Sequence, residues 1–413
     1  MREKDRAEKR ELARRRASEL KAAIGDYLEA RALIPDGMAC WDEIKKRQEK
    51  IKKYFHAGDK EWYDWQWQVR SRIESVETLA ELLDLPENKV REIKKVAGTY
   101  RYAVSPYFLS LISHGDMTDP IFLQAVPRQE ELADSEGVED PMAEEYTSPA
   151  QSVIRRYPDR LVIYVTNQCA SYCRHCQRRR YIGKADRTTS RENLREALNY
   201  VKENEEIRDV LLTGGDAFML DDELIDWLLT ELDKIGHVEI KRLGTRTLST
   251  LPMRVSDNLC RILEKHWPVY VNTQFNHPLE VTPEVEEACK KLTRAGVALG
   301  NQAVLLKGIN DNAHVMKKLN HCLLQVMIRP YYIFHAKAVK GTAHFRTSVE
   351  TGIEIMEKLR GFTSGLAVPT YIINAPGGYG KIPMLPKYLL SLGDDKVIIR
   401  TWENRVLEYD NHE

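Results

Sequence analysis

Residues 161–180, LVIYVTNQCASYCRHCQRRR, join a β-branched run to three closely spaced cysteines. Cys169, Cys173 and Cys176 have the spacing C-x3-C-x2-C, and they directly follow the predicted strand LVIYVTN. Three thiolates within one short loop can hold a single metal centre. When three cysteines hold a [4Fe–4S] cluster, one iron is left free to bind a small molecule. The stretch therefore predicts a strand whose carboxyl end carries an iron–sulfur site.

Two other interpretations of the cysteines are weaker. Their spacing lies on one helix face, as a buried stripe would, but the intervening residues are mostly polar and three arginines follow. Structural zinc usually has a fourth Cys or His ligand, and His175, next to Cys176, is awkwardly placed for one tetrahedron. The other cysteines are scattered in helical patterns and are predicted to be packed thiols: Cys40, Cys260, Cys289 and Cys322.

Six short β-branched runs alternate with helical patterns from residue 160 onward. The runs are LVIYVTN (161–167), DVLLTGG (209–215), EIKRLGTRT (239–247), PVYVNTQF (268–275), VALGNQAVLL (297–306) and QVMIRPYYIF (325–334). This alternation predicts parallel βα units in an α/β barrel or a doubly wound sheet. In barrels the functional groups lie at the carboxyl ends of the strands. Candidate groups follow four of the runs: Cys169, Gly214-Gly215-Asp216, Asn276-His277 and Lys337.

The composition excludes several classes of protein. The 413 residues include 62 Lys and Arg and 62 Asp and Glu, and this zero net charge argues against a dedicated nucleic-acid binder. No apolar run reaches the roughly 18 residues of a membrane span, and MREKDRAEKR is too charged for a secretory signal. We expect a cytoplasmic protein. Its N-terminal residues predict an exposed amphipathic helix that serves as a solvated arm or an oligomer contact. RNA binding through Arg14, Arg15 and Arg16 is the alternative role.

The region before the β-rich part is predicted to be helical. VETLAELLDLPENKVREIKKVAG (76–98) predicts two short helices with an N-cap near Thr78 and a break at Pro86. Residues 128–148 are acidic and poor in large apolar groups, which predicts a surface loop or linker. Three clustered tryptophans are expected to pack in a core rather than to stack on bases: Trp62, Trp65 and Trp67.

Residues 374–381, NAPGGYGK, form a glycine-rich stretch that ends in Lys381 and follows the strand-like run VPTYII. A phosphate-binding P-loop does not fit, because Ala375 replaces its first glycine and Ile382 replaces its Ser or Thr. A lysine on such a turn can instead hold pyridoxal 5′-phosphate (PLP) covalently.

The phosphate of such a cofactor would need cations. RRYPDR, residues 155–160, ends as the first strand begins and supplies Arg156 and Arg160. An arginine can grip a phosphate with two parallel hydrogen bonds. A surface ion pair is the alternative role for these side chains.

Several stretches, in order from about residue 90 to residue 400, resemble the lysine 2,3-aminomutase family of the radical S-adenosylmethionine (SAM) superfamily. They are SPYFLSLI, RRYPDR, YCRHCQRRR, LLTGGDA, NTQFNHP, HFRT, LRGFTSG and APGGYGK. The resemblance implies a partial (β/α)6 barrel with a helical N-terminal extension and a C-terminal PLP-binding segment. It implies an isomerase that exchanges an amino group with a hydrogen on the adjacent carbon, using a [4Fe–4S] cluster, SAM and PLP.

The resemblance also implies a role for individual residues. The matched positions are Cys169, Cys173 and Cys176 for the cluster, Gly214, Gly215 and Asp216 for the amino group of SAM, Lys381 for PLP, Arg156, Arg160 and Gln302 for its phosphate, and Arg178 for the substrate α-carboxylate. The partners implied are a small-molecule substrate, an electron donor such as flavodoxin or ferredoxin, and further copies of the chain in a homo-oligomer. A non-catalytic iron–sulfur regulator with a vestigial PLP loop is the alternative from another functional class.

The substrate is inferred from two departures from the family pattern. Where the lysine enzymes have two aspartates for the distal ammonium group, this chain has Lys337 and Asn374. Like charges about 4 Å apart repel by about 4 kcal/mol at an effective dielectric constant near 20, on the order of a thousandfold in binding. A cation with an amide donor favours a distal carboxylate, which predicts that L-glutamate and β-glutamate interconvert. Lysine, or another amino acid such as aspartate, is the alternative substrate, and a solvated loop lysine is the alternative role of Lys337.

The chain is expected to divide into four parts: a charged helical arm with a possible role in oligomerisation (1–60), a helical region with the acidic linker (61–150), the partial barrel (151–345) and the PLP-lysine segment with the tail (346–413). The family's zinc-binding cysteines are not matched. The residues after Lys396 contain no cysteine, and Asn312 stands at the position of a partner cysteine. We therefore expect no zinc.

Overall fold

One sheet organises residues 153–383. The structure is a computed structural model that describes residues 2–113, 115–183 and 185–411. Within these residues nine strands of the sheet lie side by side in chain order. They are β1 (Val153–Ile154), β2 (Arg160–Thr166), β3 (Asp209–Gly214), β4 (Ile240–Gly244), β5 (Val269–Thr273), β6 (Ala298–Leu305), β7 (Arg329–His335), β8 (Thr370–Asn374) and β9 (Lys381–Pro383).

The strands from β2 to β8 run parallel, while β1 and β9 pair antiparallel at the two edges. No pairing in the described part of the chain joins the two edges, so the sheet is open. The predicted α/β class and partial (β/α)6 barrel are confirmed, because β2 to β7 are the six predicted strands. The run VPTYII adds a seventh parallel strand, β8, and β9 returns beside it. The four-part division of the chain stays a prediction.

Helices connect the parallel strands and bury one apolar side against the sheet. On the first long one, α11 (Arg191–Glu203), the buried residues follow the i, i+3, i+4, i+7 spacing of one helix face: Leu194, Ala197, Leu198 and Val201. The helices of this part are α10 (Arg179–Ile182), α11 (Arg191–Glu203), α12 (Asp222–Asp233), α13 (Thr247–Thr250), α14 (Asp257–Lys265), α15 (Pro283–Arg294), α16 (Ala313–Gln325) and α17 (Val349–Leu359).

Polar side chains fix where the connecting helices begin. Ser190, Ser256 and Thr282 each accept a hydrogen bond from a backbone N–H in the first turn of the following helix. Asn312 does the same for α16, accepting from His314 N at 2.8 Å. Such a cap stabilises a helix by about 1 kcal/mol. Asn312 therefore has a structural role of its own as the N-cap of α16.

The region before the barrel consists of short helices, as predicted. Pro86 separates α6 (Val76–Leu83) from α7 (Glu87–Ala97). The N-cap of α6 is Ser75 rather than Thr78, because the Ser75 side chain accepts a hydrogen bond from Thr78 N. Trp62 is 1% exposed and packs near Trp67, which confirms the predicted core packing. The helices are α1 (Arg2–Ala22), α2 (Gly25–Leu33), α3 (Trp41–Tyr54), α4 (Asp59–Trp62), α5 (Trp65–Arg70), α6 (Val76–Leu83), α7 (Glu87–Ala97), α8 (Pro106–Ser110) and α9 (Pro120–Ala125).

The acidic residues 128–148 form an irregular stretch that is largely exposed or half-buried, as expected, but two of its carboxylates are buried. Glu131 is 1% exposed and accepts hydrogen bonds from Arg174 and Arg179. Glu144 is 2% exposed and faces the arginines that follow the cysteine loop. Burying a carboxylate is unfavourable unless it is paired and hydrogen-bonded. The stretch therefore supplies the counter-charges of the arginine-rich segment.

The C-terminal tail forms a separate antiparallel sheet of β10 (Leu389–Leu392), β11 (Lys396–Arg400) and β12 (Val406–Asp410). The N-terminal helix is confirmed, and most of its described side chains are exposed, including Leu12. It reaches the tail through Arg16, whose Nη2 donates to Glu403 at 2.6 Å. Every helix in the described residues is too short or too polar to serve as a membrane span.

Candidate active site

One cavity of about 300 Å³ lies where the parallel strands end. All thirteen residues to which the sequence assigns a cofactor or substrate role are in its wall. They are Arg156, Arg160, Cys169, Cys173, Cys176, Arg178, Gly214, Gly215, Asp216, Gln302, Lys337, Asn374 and Lys381. They come from the segments around β2, β3, β6, β7, β8 and β9, so the sheet alone brings them together.

The cysteines lie on the irregular loop between β2 and α10. Arg72 donates to the carbonyl of Cys169 at 2.7 Å, and Cys176 N donates to the carbonyl of Cys173 at 3.1 Å, so the backbone of the loop is fixed. Burial raises the pKa of the Cys176 thiol to about 11, and the neighbouring Cys173 adds to the rise. Burial also raises the pKa of Cys169. A bound metal centre would offset this penalty, because its positive charge stabilises thiolates.

Arg246, just after β4, is a buried cation beside the cysteine loop. Its Nη1 donates to Cys173 Sγ at 2.7 Å, and its Nη2 donates to Gln124 at 2.6 Å. Within the described ranges, no three His, Cys, Asp or Glu side chains converge closely enough to hold a single metal ion. A four-iron cluster binds each cysteine through a different iron. Three thiols on one loop can therefore each bind a different iron of such a cluster.

The Gly-Gly-Asp motif packs directly against the start of the cysteine loop. Gly215 N donates to Thr166 O at 2.6 Å, and Asp216 N donates to Gln168 O at 2.8 Å. A Cβ at Gly215 would overlap the backbone of Asn167 and Gln168, so only glycine fits there. The Asp216 carboxylate accepts from Phe218 N and Arg246 N, which ties the end of β3 to the end of β4.

Lys381 begins β9 after a loop in which three positions require glycine. Gly377, Gly378 and Gly380 have φ angles of 73°, 83° and 95°, which L side chains rarely adopt. Burial lowers the pKa of Lys381 to about 8, and the cations Arg242, Arg160 and Arg156 add to the lowering. A lysine with a lowered pKa has more of the neutral amine that attacks a carbonyl group.

Arg156 and Arg160 line the cavity close to Lys381. The Arg160 guanidinium lies 4.0 Å from the centre of the Tyr157 ring, a stacked arrangement that fixes its plane. The Tyr157 hydroxyl would lie 3.2 Å from a Cβ at Gly380, so this segment packs against the loop that carries Lys381. Both arginines are therefore placed where the phosphate of a lysine-bound cofactor could meet them.

Arg178 lines the same cavity and is held by contacts from two residues. Its Nε and Nη2 donate to Glu144 Oε1 at 3.1 and 3.0 Å. Its guanidinium carbon is 4.7 Å from the centre of the Tyr164 ring. Burial opposes the charge of Glu144, but Arg178, Tyr164 and Arg156 outweigh it and keep the pKa of this carboxyl below its usual range.

Lys337 is a cation without a matching anion. It forms no ion pair within the described residues, and burial lowers its pKa to about 7, with Arg178, Arg156 and Lys381 adding to the lowering. Asn374 Nδ2 is buried and has no hydrogen-bond partner in the described part of the chain. A buried donor without an acceptor loses about 1–3 kcal/mol. Both groups line the cavity. A ligand carboxylate would give Lys337 an anion and Asn374 Nδ2 a hydrogen-bond acceptor.

Two residues of this region were not predicted from the sequence. Arg246 follows the third predicted run, EIKRLGTRT, so its place after a strand was a usable signal. Glu144 had no comparable signal, because it belongs to an acidic stretch without periodicity and its partners are Arg156, Tyr164, Arg178 and Arg180. The candidate residues Asn276 and His277 are buried and do not line the cavity.

Comparison with known proteins gives consistent matches over almost the whole chain. Residues 356–413 match a family profile described as Lysine-2,3-aminomutase, and residues 163–319 match the Radical SAM superfamily. Glutamate 2,3-aminomutase of Clostridioides difficile (strain 630) is 53% identical over 96% of this chain and 94% of its own length. L-lysine 2,3-aminomutase of Clostridium subterminale is 44% identical over 89% of this chain and 88% of its own. The L-lysine 2,3-aminomutase of Fusobacterium nucleatum subsp. nucleatum is also 44% identical, over 88% and 86%.

Proposed function

The chain belongs to the lysine 2,3-aminomutase family of the radical SAM superfamily and is therefore an isomerase. We propose that it interconverts L-glutamate and β-glutamate. The observation that carries the choice of substrate is the pair Lys337 and Asn374. Lys337, which has no ion pair among the described residues, and Asn374, whose Nδ2 has no hydrogen-bond partner there, both line this cavity. A relative named glutamate 2,3-aminomutase, 53% identical, supports the same choice.

The radical SAM domain implies a [4Fe–4S] cluster and SAM. We assign the cluster to Cys169, Cys173 and Cys176, because burial raises the thiol pKa of Cys169 and Cys176 and the positive charge of a bound cluster would offset this penalty. We assign contact with SAM to Gly214, Gly215 and Asp216, which form the neighbouring wall. When bound, the cluster and SAM supply a radical that exchanges a hydrogen atom with carbon 3 of the substrate, and PLP supplies a π-system that spreads the unpaired spin beside the migrating nitrogen.

PLP is assigned to Lys381, and its phosphate to Arg156 and Arg160 with help from Gln302. The fit rests on three features of the cavity wall. Lys381 has a lowered pKa, Arg156 and Arg160 lie close to it, and the glycine-rich loop packs on the segment that carries those arginines. Arginine suits phosphate because its planar fork donates two parallel hydrogen bonds.

The substrate is held at both ends in this proposal. Arg178 binds the α-carboxylate, and its fixed guanidinium plane sets the direction of approach. Lys337 and Asn374 bind the γ-carboxylate at the other end. Two clamps leave carbon 3 little freedom to rotate, and such positioning is a large part of the rate in reactions that need a close approach.

The same pair discriminates against other amino acids. While Lys337 is charged, the distal ammonium of lysine would face it with a repulsion of about 4 kcal/mol at 4 Å and an effective dielectric constant near 20. Above the Lys337 pKa of about 7 the amine is increasingly neutral, and this discrimination weakens. Aspartate is one methylene shorter than glutamate, so its carboxylate would have to reach the same cation from further away. An electron donor such as flavodoxin or ferredoxin and assembly into a homo-oligomer remain part of the proposal.

Product analysis under anaerobic conditions tests the proposed function. Protein reconstituted with iron, sulfide and PLP is given SAM, dithionite and 13C-labelled L-glutamate, L-lysine or L-aspartate, and the products are read by NMR. We expect β-glutamate from glutamate, with turnover of lysine at least a hundredfold slower. β-Lysine as the main product would overturn the choice of substrate. No product from any amino acid, with a full cluster and bound PLP, would overturn the proposed reaction.

A further inference from the structure

Glu144 is a buried carboxylate on which four side chains converge. Arg178 donates to Oε1 at 3.0 and 3.1 Å, and Arg156 Nη2 lies 3.5 Å from the same oxygen. Tyr164 OH donates to Oε2 at 2.9 Å, and Arg180 Nη2 donates to it at 3.3 Å. The carboxylate is 2% exposed, so these contacts replace nearly all of its hydration.

One oxygen of Glu144 therefore joins the two arginines that the proposed function assigns to different ligands. Arg178 and Arg156 both line the cavity and repel each other, because both are cations and burial leaves little water to screen them. The carboxylate between them offsets that repulsion. Without it, neither guanidinium would have an ion-pair partner among the described residues to hold its orientation before a ligand arrives.

The contact with Arg178 also leaves a definite edge open. Glu144 occupies Nε and Nη2, and the Tyr164 ring lies against one face of the guanidinium. Arg178 Nη1 makes no hydrogen bond to any described residue. An arginine whose one edge donates to a carboxylate can still donate to a second carboxylate from another edge, because its five N–H groups form a rigid fork.

The segment that carries Glu144 touches the Lys381 loop as well. Gly377 N donates to Pro141 O at 3.4 Å, and a Cβ at Gly378 would lie 2.9 Å from Met142 O. Ala143, just before Glu144, has a φ angle of 48°, which is unfavourable for a residue with a side chain and directs the chain into the site. The same short segment thus contacts the lysine loop and pairs with both arginines.

We infer that Glu144 is a positioning residue that holds Arg178 and Arg156 with one carboxylate oxygen, and so couples the binding site for the substrate α-carboxylate to that for the cofactor phosphate. This inference rests on the proposed function for the identity of the two ligands. It extends that proposal to a residue that does not itself line the cavity.

Glu131 provides a matched control, because it differs in one decisive respect. It is equally buried and also pairs with two arginines, at 2.6 Å to both Arg174 and Arg179. Neither of those arginines lines the cavity. A loss of binding caused only by breaking a buried ion pair would appear in both Glu131→Gln and Glu144→Gln.

The experiment measures binding without turnover. Cluster-reconstituted wild type, Glu144→Gln, Glu144→Asp and Glu131→Gln are titrated with PLP, and then the PLP-loaded proteins are titrated with L-glutamate in the absence of SAM, following the PLP absorbance. Thermal unfolding is recorded for each. We expect Glu144→Gln to bind glutamate at least tenfold and PLP at least threefold more weakly, with Glu144→Asp in between and Glu131→Gln within twofold of wild type for both ligands.

Two results would overturn the inference: Glu144→Gln within twofold of wild type for both ligands, or Glu131→Gln weakening both as much as Glu144→Gln does. If Glu144→Gln does not fold, Glu144→Asp decides by the same comparison with wild type and Glu131→Gln. A wild type that binds PLP but no glutamate would contradict the proposed substrate alone, because the PLP titrations still compare Glu144 with Glu131.

Discussion

Asn374 lies directly opposite Lys381 in the antiparallel pairing of β8 and β9. Side chains of directly opposed residues in such a pair point to the same face of the sheet. In the parallel register of β7 and β8, Phe334 pairs with Ile372. Continuing that register by two residues on each chain places Ala336 beside Asn374. Lys337 is the next residue. The lysine assigned to PLP and the two residues assigned to substrate choice therefore share one corner of the cavity.

Reversing the charge in this corner is predicted to reverse the preference for substrate. In the double variant Lys337→Asp and Asn374→Asp, the distal carboxylate of glutamate faces anions, and we expect kcat/KM for glutamate to fall at least a thousandfold, as expected from about 4 kcal/mol of repulsion. Turnover of lysine should become measurable by NMR. Full glutamate turnover with no gain for lysine would contradict the assigned roles.

The binding of glutamate is predicted to weaken as the pH rises. The pKa of Lys337 in the free protein is about 7, and a bound carboxylate raises it because it favours the charged form. Binding is thus at full strength below pH 7 and weakens by up to tenfold per pH unit above it, until the pKa of the complex is passed. Lys381, with a pKa of about 8, also titrates in this range. Lys337→Arg stays charged, so its glutamate Kd should change less between pH 6.5 and 8.5, as measured from the PLP absorbance.

A methyl group at Gly215 is predicted to displace the cysteine loop. A Cβ there would overlap the backbone of Asn167 and Gln168, the first residues of the cysteine loop, and these cannot move without shifting Cys169. Overpacking of this kind typically destabilises a protein by about 1–3 kcal/mol. We expect Gly215→Ala to bind less than half of the wild-type iron and to have a lower unfolding temperature. Gly236→Ala is the control, because a Cβ at Gly236 meets nothing within 4 Å and should leave the iron content unchanged.

The parts of the molecule that follow from local pattern were predictable, and those that depend on distant charges were not. The six strands and the cysteine loop have strong local signals, namely β-branched runs and a fixed spacing. Glu144 carries no such signal, because its partners lie at different distances along the chain and meet it only through the fold. The N-cap of α6 is Ser75, three residues before the predicted Thr78. Both side chains can cap a helix, and the choice between them depends on where the chain turns.

Arg246 is predicted to raise the reduction potential of the cluster assigned to the three cysteines. Its Nη1 donates to Cys173 Sγ at 2.7 Å from a buried position. A hydrogen bond and a positive charge at a ligand sulfur stabilise the reduced, more negative state more than the oxidised state. The hydrogen bond exists in both states, so only the difference in its strength shifts the potential, and for one electron a difference of about 1.4 kcal/mol corresponds to roughly 59 mV. We expect Arg246→Gln to lower the potential by tens of millivolts in a redox titration followed by EPR.

The matched control for Arg246 is Arg254, which is also buried but donates to the carbonyls of Phe218 and Leu220 rather than to a cysteine. Arg254→Gln should lower the unfolding temperature, since it leaves two buried acceptors without their donor, while the potential stays within about 20 mV of wild type. An equal shift in both variants would mean that the potential responds to general loosening of the barrel. An unchanged potential in Arg246→Gln would show that the contact with Cys173 does not tune the cluster.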